Sequence, residues 1–256
     1  MYSLAEISGL PMIFNEDKQQ CGLGDGVMCA SSRRVKLDEL VPTLLNKSLR
    51  YPEHVYSYHE SVIKSEHKEQ GKWNADLRYD VYVLPFGLLG IEYIKTHIYY
   101  TQAVPNKVAC IVEVLLGELT VVLQKNEPKA EFDFDTHVAE AVVVNVAAGK
   151  KALIPTGYMF TFVNASNSSV IFSIVRTGEH VVDYRSLNRE QGLAYFLIAK
   201  NARAEVVTNP RYRTTPSVVT KDWGQLVSIN IPDNSKPLYS IAIEAADDLM
   251  QILYHS

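Results

Sequence analysis

From Leu77 onward the chain is a succession of short runs dense in Val, Ile, Tyr, Phe and Thr, each closed by Gly, Pro, Asn or Ser: LRYDVYVLPFG, IEYIKTHIYYTQ, KVACIVEVLLG, ELTVVLQ, AEAVVVNVAAG, KKALIPTG, MFTFVNAS and SVIFSIVRT. Such residues fit a pleated, packed surface, so eight runs at near-regular spacing predict an antiparallel sandwich or barrel. Several, VACIVEVLL among them, are apolar on both alternating sets of positions, as expected of a strand covered on both faces. One face would line a barrel; the other requires a second sheet or a partner subunit.

Outside these runs the texture differs. SSRRVKLDELVPTLLN predicts a capped helical piece around Leu37 to Leu45. The glycines of CGLGDG mark a turn, because the lysine and the strand and helix context of a phosphate loop are missing. SVIKSEHKEQGKWN, polar and charged, predicts a solvated hairpin connection or loop, and DYRSLNREQGLAYFLIAKN a short helix returning as an extended segment that ends at NPRYR. After Thr214, GQLVSINIP alternates like a strand, and Leu238, Ile241, Ala245, Leu249 and Ile252 form one stripe of an amphipathic helix. That helix is expected to cover the barrel end of its own subunit, since its polar face is acidic and unsuited to a membrane surface. The chain thus divides into an N-terminal arm with a short helix (1–50), a barrel with its closing segments (51–213), and a C-terminal strand and helix packed on the barrel (214–256).

A length of 256 residues is enough to bury a sizeable core, and a net charge of −4 without a basic stripe argues against nucleic acid as a partner. The three cysteines, Cys21, Cys29 and Cys110, form no CxxC pair and leave one over in any disulfide scheme, which suits a reducing compartment. The opening MYSLAEISGLPMIF lacks a basic segment, and no apolar run reaches membrane-spanning length, so a cytoplasmic protein without a membrane partner is the expectation. The histidines at 54, 59, 67, 97, 137, 180 and 255 are scattered without ligand spacing, and satisfied or solvent-facing roles are the simplest for each.

One spacing is specific. Gly149-x5-Pro155-x-Gly157-x2-Phe160-x3-Asn164 resembles the second motif of the cupin superfamily, with Phe160 where that motif has a metal-binding histidine. Cys110, six residues and Gly117 are similar to the end of the first cupin motif, with Cys110 at the glutamate ligand's place. The order of SSRRVKLDEL, VYSYHE, DLRYDVYVLPFGLLGIEYIKT, LLGELTVVLQ, IPTGYMFTFVN, DYRSLN and NPRYR resembles one branch, the cupin-type glucose-6-phosphate isomerases. The resemblance implies an all-β cupin double-stranded β-helix, a jelly-roll sandwich, and a homodimer. A gapless match sets Thr96 on the family's threonine, a phosphate contact, and Tyr99 and Thr101 on its two histidines. The other register uses His97 and Tyr99 and loses the threonine. Tyr56 and Tyr184 match pocket tyrosines, while Tyr158 and Thr161 stand where the family has a tryptophan and an arginine.

Either register keeps at most one of the four ligands. A divalent first-row ion needs imidazoles or carboxylates converging at roughly 2.0–2.2 Å, and Tyr99, Thr101, Cys110 and Phe160 do not supply them, so no metal and no cofactor is expected. Glu113 lies three residues beyond Cys110 and points away from the interior by strand parity. His97 is the one titratable candidate for proton transfer, though a rim histidine making one hydrogen bond is the simpler role. Cys110 is more simply a small buried apolar residue than a nucleophile. Three functions follow: a metal-free relative binding a small polar or phosphorylated metabolite, a sugar phosphate for example, through Thr96, Tyr99, Thr101, Tyr158 and Tyr184; an active aldose–ketose isomerase; or a non-catalytic dimeric interaction protein with a filled barrel. An open polar cavity favours the first, and a barrel plugged by Phe160 and Tyr99 the third.

Overall fold

The computed structural model describes residues 1–100, 109–127, 137–177, 190–222, 231 and 233–255. Two sheets curl against one another into a cupin jelly-roll barrel. One runs, in spatial order, through the strands Lys151–Ile154, Cys110–Leu116, Val170–Thr177, Leu77–Leu84, His54–Glu60 and Ser31–Lys36. The other runs through Arg203–Thr208, Tyr195–Lys200, Glu92–Lys95, Met159–Asn164, Glu118–Asn126, Val138–Ala147 and Val219–Asp222, with Leu88–Leu89 and Tyr99–Tyr100 paired beside it. Neighbouring strands are antiparallel except Val138–Ala147 with Val219–Asp222. The run read as one strand from IEYIKTHIYYTQ is broken after Lys95 and resumes at Tyr99.

Strand parity builds the layers. Inward residues of both sheets, including Val112, Val114, Val121, Leu123, Val142, Val144, Phe160, Phe162, Phe172 and Ile174, form one buried core between them. The alternate residues of the first sheet, among them Tyr79, Val81, Ile111, Leu115 and Val175, form a second core with Leu4, Leu10, Met12 and Phe14 of the N-terminal arm and with Leu238, Ile241, Leu249 and Leu253 of the C-terminal segment. On the second sheet Val122, Val143, Met159 and Val163 gather with Ile98, Leu193 and Leu197. The doubly apolar strands therefore find cover for their outer faces within the chain itself.

The C-terminal segment is not one helix. Ala245 leaves helical geometry at φ −137°, ψ 44°, dividing it into Leu238–Glu244 and Ala246–His255. The break lets Asp247 and Asp248 sit in the first turn of the second helix, where acidic side chains are favoured. The segment covers the outer face of the first sheet rather than the barrel's end. Its anchor is Tyr239, whose ring lies 5.7 Å from each of His67 and Trp73 and edge-on to Tyr79 at 5.3 Å. The Tyr239 hydroxyl accepts from the Lys64 backbone N–H at 2.9 Å. The polar stretch connects the antiparallel strands His54–Glu60 and Leu77–Leu84, as a hairpin connection would, and within it the strand Ile63–Lys64 and the helix Ser65–Glu69 complete this cage. GQLVSINIP lies outside the described residues except for Ile231.

Under the first helix lies a buried ion pair. Lys151 Nζ is 2.9 Å from Glu113 Oε1, both side chains 2% exposed, and Glu113 Oε2 accepts the Leu238 N–H at 2.9 Å. Lys151 also donates to the Asn234 carbonyl at 3.1 Å. Burial pushes the Glu113 carboxyl upward, opposed by the lysine. Glu113 thus sits on the outer face, and its work is to hold the C-terminal segment. Replacing one partner strands the other charge, so Glu113→Ala is expected to lower unfolding stability by about 3–5 kcal/mol. Urea titration checks this: Glu113→Leu with Lys151→Met should regain most of the loss, and an unmoved midpoint in Glu113→Ala would refute the role.

Candidate barrel site

The site's geometry begins with an irregularity in one strand. Lys95 pairs with Val163, and Tyr99 with Phe160, so Thr96, His97 and Ile98 stand opposite only Thr161 and Phe162. The extra residue is a β-bulge, and it reverses parity. Ile94 belongs to the interior core, whereas four residues later Ile98 belongs to the outer one and Tyr99 turns inward. Thr96 stabilises this arrangement. Its Oγ1 accepts the Phe162 N–H at 3.1 Å and donates to the His97 carbonyl at 2.9 Å, while its N–H reaches the Phe162 carbonyl at 2.9 Å. Thr161 donates to the Thr96 carbonyl at 3.0 Å.

Inside the barrel the rings pack closely. Phe160, fully buried, lies 5.5 Å from Tyr99 and edge-on to Phe162 at 5.3 Å; Phe162 is 4.6 Å from Phe172, and Phe172 stacks on Tyr82 at 5.0 Å. These stacked, tilted and edge-on contacts have centroid separations in the range at which aromatic pairs attract.

Polar groups gather beside the rings, toward the end of the barrel where Cys110 begins its strand and Arg176 nears the end of its own. The Tyr56 hydroxyl and His97 Nδ1 are hydrogen-bonded at 2.7 Å, and the Tyr99 phenol interacts with those of Tyr82 and Tyr56. Tyr58 stacks on Tyr82 at 5.3 Å and interacts with Arg33. Arg176 Nε donates to Asp80 Oδ2 at 2.9 Å, with Glu60 Oε1 3.6 Å from its Nη2, and Asp80 Oδ1 accepts the Ser61 N–H at 2.8 Å. Burial holds the hydroxyls of Tyr56, Tyr82 and Tyr99 well above the ordinary phenol range, and it lowers His97, leaving a neutral imidazole at neutral pH. Burial likewise drives the Cys110 thiol far upward, which removes the thiolate a nucleophile requires.

The structure thus brings Tyr56, His97, Tyr99, Cys110 and Phe160 to the barrel interior or its rim. Tyr158, also packed against the interior core, donates to Glu140 and lies 5.7 Å below Lys125 Nζ. Thr161 has the opposite parity to Phe160 and, with Thr96, is engaged in the bulge. Thr101 and Tyr184 lie outside the described residues. Sequence reasoning passed over Tyr58, Asp80, Tyr82 and Arg176. Alternation in VYSYHE and RYDVYVL was the available signal, since it puts Tyr58 with Tyr56 and Asp80 with Tyr82.

The metal of cupins does not fit here. The residue at the motif's histidine position is a phenyl ring in van der Waals contact with its neighbours, and the thiol at the glutamate position is held protonated. Among the described residues no three His, Cys, Asp or Glu side chains converge as a metal site would require.

The family model described as glucose-6-phosphate isomerase (GPI) matches residues 37–214. No curated protein matches the chain. Among solved structures it is similar to Peruvianin-I, a cysteine peptidase from Thevetia peruviana latex, at 16% identity over 40% of this chain and 51% of that one, with a TM-score of 0.28; it therefore spans about half of that protein's length. It is similar to the Drosophila melanogaster CENP-C cupin domain at 14% identity over 50% of this chain and 73% of that one, with a TM-score of 0.30. An RmlC-like cupin family protein with a double-stranded β-helix fold from Methanocaldococcus jannaschii is 17% identical over 41% of this chain and 72% of that one, with a TM-score of 0.27.

Two outcomes follow. Thr96→Val removes the acceptor of the buried Phe162 N–H and is expected to cost about 1–3 kcal/mol in denaturant unfolding, with an unchanged midpoint showing that the bulge does not depend on this hydroxyl. Protein exposed to iron, manganese, nickel or zinc and then desalted should retain far less than one ion per chain by mass spectrometry, whereas stoichiometric metal would show a donor set other than these residues.

Proposed function

The chain belongs to the glucose-6-phosphate isomerase family, and from that premise we propose that it is a metal-free member that binds a small polar or phosphorylated metabolite at the rim of its barrel without interconverting aldose and ketose. The observation that carries the proposal is Phe160. Isomerisation moves a proton between adjacent carbons through an enediol whose developing charge must be stabilised, and a buried phenyl ring at the ligand position supplies no such stabilisation. Nor do the neighbouring phenols supply a base, since burial keeps Tyr56, Tyr82 and Tyr99 protonated.

What remains at the rim is suited to recognition. His97, Tyr56, Tyr58 and Arg33 offer hydrogen-bonding groups to hydroxyls or an anion, over a floor of Tyr82 and Tyr99. Thr96 enters this proposal through the bulge that aims His97 and Tyr99 to one side. Two further features stand alongside: no helix among the described residues is long and apolar enough to cross a membrane, and the homodimer implied by the family resemblance remains part of the proposal.

A second reading has its own support. The contacts of Phe160 with Tyr99 and Phe162 fill the barrel's centre, as expected of a protein that acts through its surface and has no ligand. Titration calorimetry with glucose 6-phosphate, fructose 6-phosphate and their unphosphorylated sugars separates the two. Saturable binding that weakens by about tenfold or more in His97→Leu, a loss of roughly 1.4 kcal/mol, supports the rim site. Absence of binding for every sugar favours the surface role. A coupled isomerase assay is expected to show no turnover; turnover that depends on the protein concentration would overturn the proposal.

A further inference from the structure

A second polar constellation lies outside the barrel, on the far face of the first sheet. Ser32 and His59 are direct cross-strand partners, and His59 pairs on its other side with Val81, a residue of the outer core. Ser32 Oγ is 2.7 Å from His59 Nδ1, and His59 Nε2 is 2.8 Å from the Cys21 backbone carbonyl in the N-terminal arm. A carbonyl oxygen can only accept, so Nε2 carries the proton of the neutral ring and Nδ1 is left as an acceptor. Ser32 therefore donates its hydroxyl proton toward the imidazole. A hydroxyl bonded to a base that is itself oriented by a third group is the arrangement that makes serine nucleophilic. Ser32 is exposed, so an incoming electrophile can reach it.

We propose that Ser32 is a surface nucleophile activated by His59, taking small activated esters as acyl donors. In the acylation step Ser32 Oγ forms a bond to the ester carbonyl carbon, its proton passes to His59 Nδ1, and the carbon–oxygen bond to the leaving alcohol breaks as that alcohol collects the proton. Water then reverses the same transfers to release the acid. Ser31–Lys36 is the edge strand of its sheet, and an edge presents backbone N–H groups that no ladder uses, the kind of donor an oxyanion requires. Cys29 Sγ, 3.4 Å from Ser32 Oγ, lines the site. The pair shares no residue with the barrel rim, so its fate is independent of the metabolite-binding proposal.

The test is labelling of the full chain with a fluorophosphonate probe, which transfers its phosphonyl group to the serine oxygen as fluoride leaves. Peptide mapping should place the adduct on Ser32, with none there in Ser32→Ala. In His59→Gln, which can keep both hydrogen bonds without a comparable base, the rate should fall on the order of a hundredfold. In the unaltered chain Ser32 should label well ahead of other exposed serines such as Ser48, a readout that does not depend on how a variant folds. Labelling of Ser32 no faster than that of those serines would overturn the proposal.

Discussion

The ring of Phe160, enclosed by Tyr99 and Phe162 at the centre of the barrel, constrains everything around it. A jelly-roll interior can be completed in two ways. Either polar groups converge on an ion that satisfies them, or apolar side chains fill the space, because an unpaired polar group there costs several times what a hydrogen bond returns. This chain takes the second course at Phe160, which is fully buried in the interior core beside the Cys110 thiol. Once one histidine becomes phenylalanine the remaining donors lose the charge that kept them ionised, and a thiol or phenol in the same space stays protonated. Tyr99, Cys110 and Phe160 lie in a single contact network.

Several buried charges among the described residues are paired. Asp80 and Arg176 compensate one another near the barrel's end, and Glu92 and Lys95 do so where Lys95 also reaches the Thr43 carbonyl. Glu113 and Lys151 form the corresponding pair on the outer face. Such pairs add little net stability over apolar residues of similar size, but they tolerate only one arrangement of the elements they join. Glu113 illustrates this: its second oxygen takes the Leu238 N–H, so the sheet's charge pair also fixes where the C-terminal segment begins.

The sequence made much of this fold legible. Runs such as CIVEVLL and VIFSIVRT announce strands by β-branched content, and their apolar character on both faces announces two coverings, which turn out to be the barrel interior and the arm with the C-terminal helices. Phe160 was legible through its motif spacing. Less accessible were features that depend on distant partners. Asp80 and Arg176 lie far apart in sequence and only the register of their strands brings them together, and the helix break at Ala245 leaves no mark in the stripe Leu238, Ile241, Ala245, Leu249 and Ile252, which suits one continuous helix equally well. The strand Val219–Asp222 gave no periodic signal because it is a short edge strand.

The bulge at Thr96 shows why a candidate site can be legible in part. Strict alternation from Ile94 would place Thr96 and Ile98 inward and His97 and Tyr99 outward. One additional residue inverts this, and a linear pattern carries no mark of it, because the compensating hydrogen bonds run from Thr96 to the strand containing Phe162. The inversion turns the side shared by His97 and Tyr99 toward the barrel interior. Tyr99 then meets Phe160 directly across the sheet, whereas His97, nearer the rim, meets the Tyr56 hydroxyl. The position that packs against Phe160 and the position that keeps a polar rim are therefore two residues apart in the chain, and a single backbone irregularity sets both.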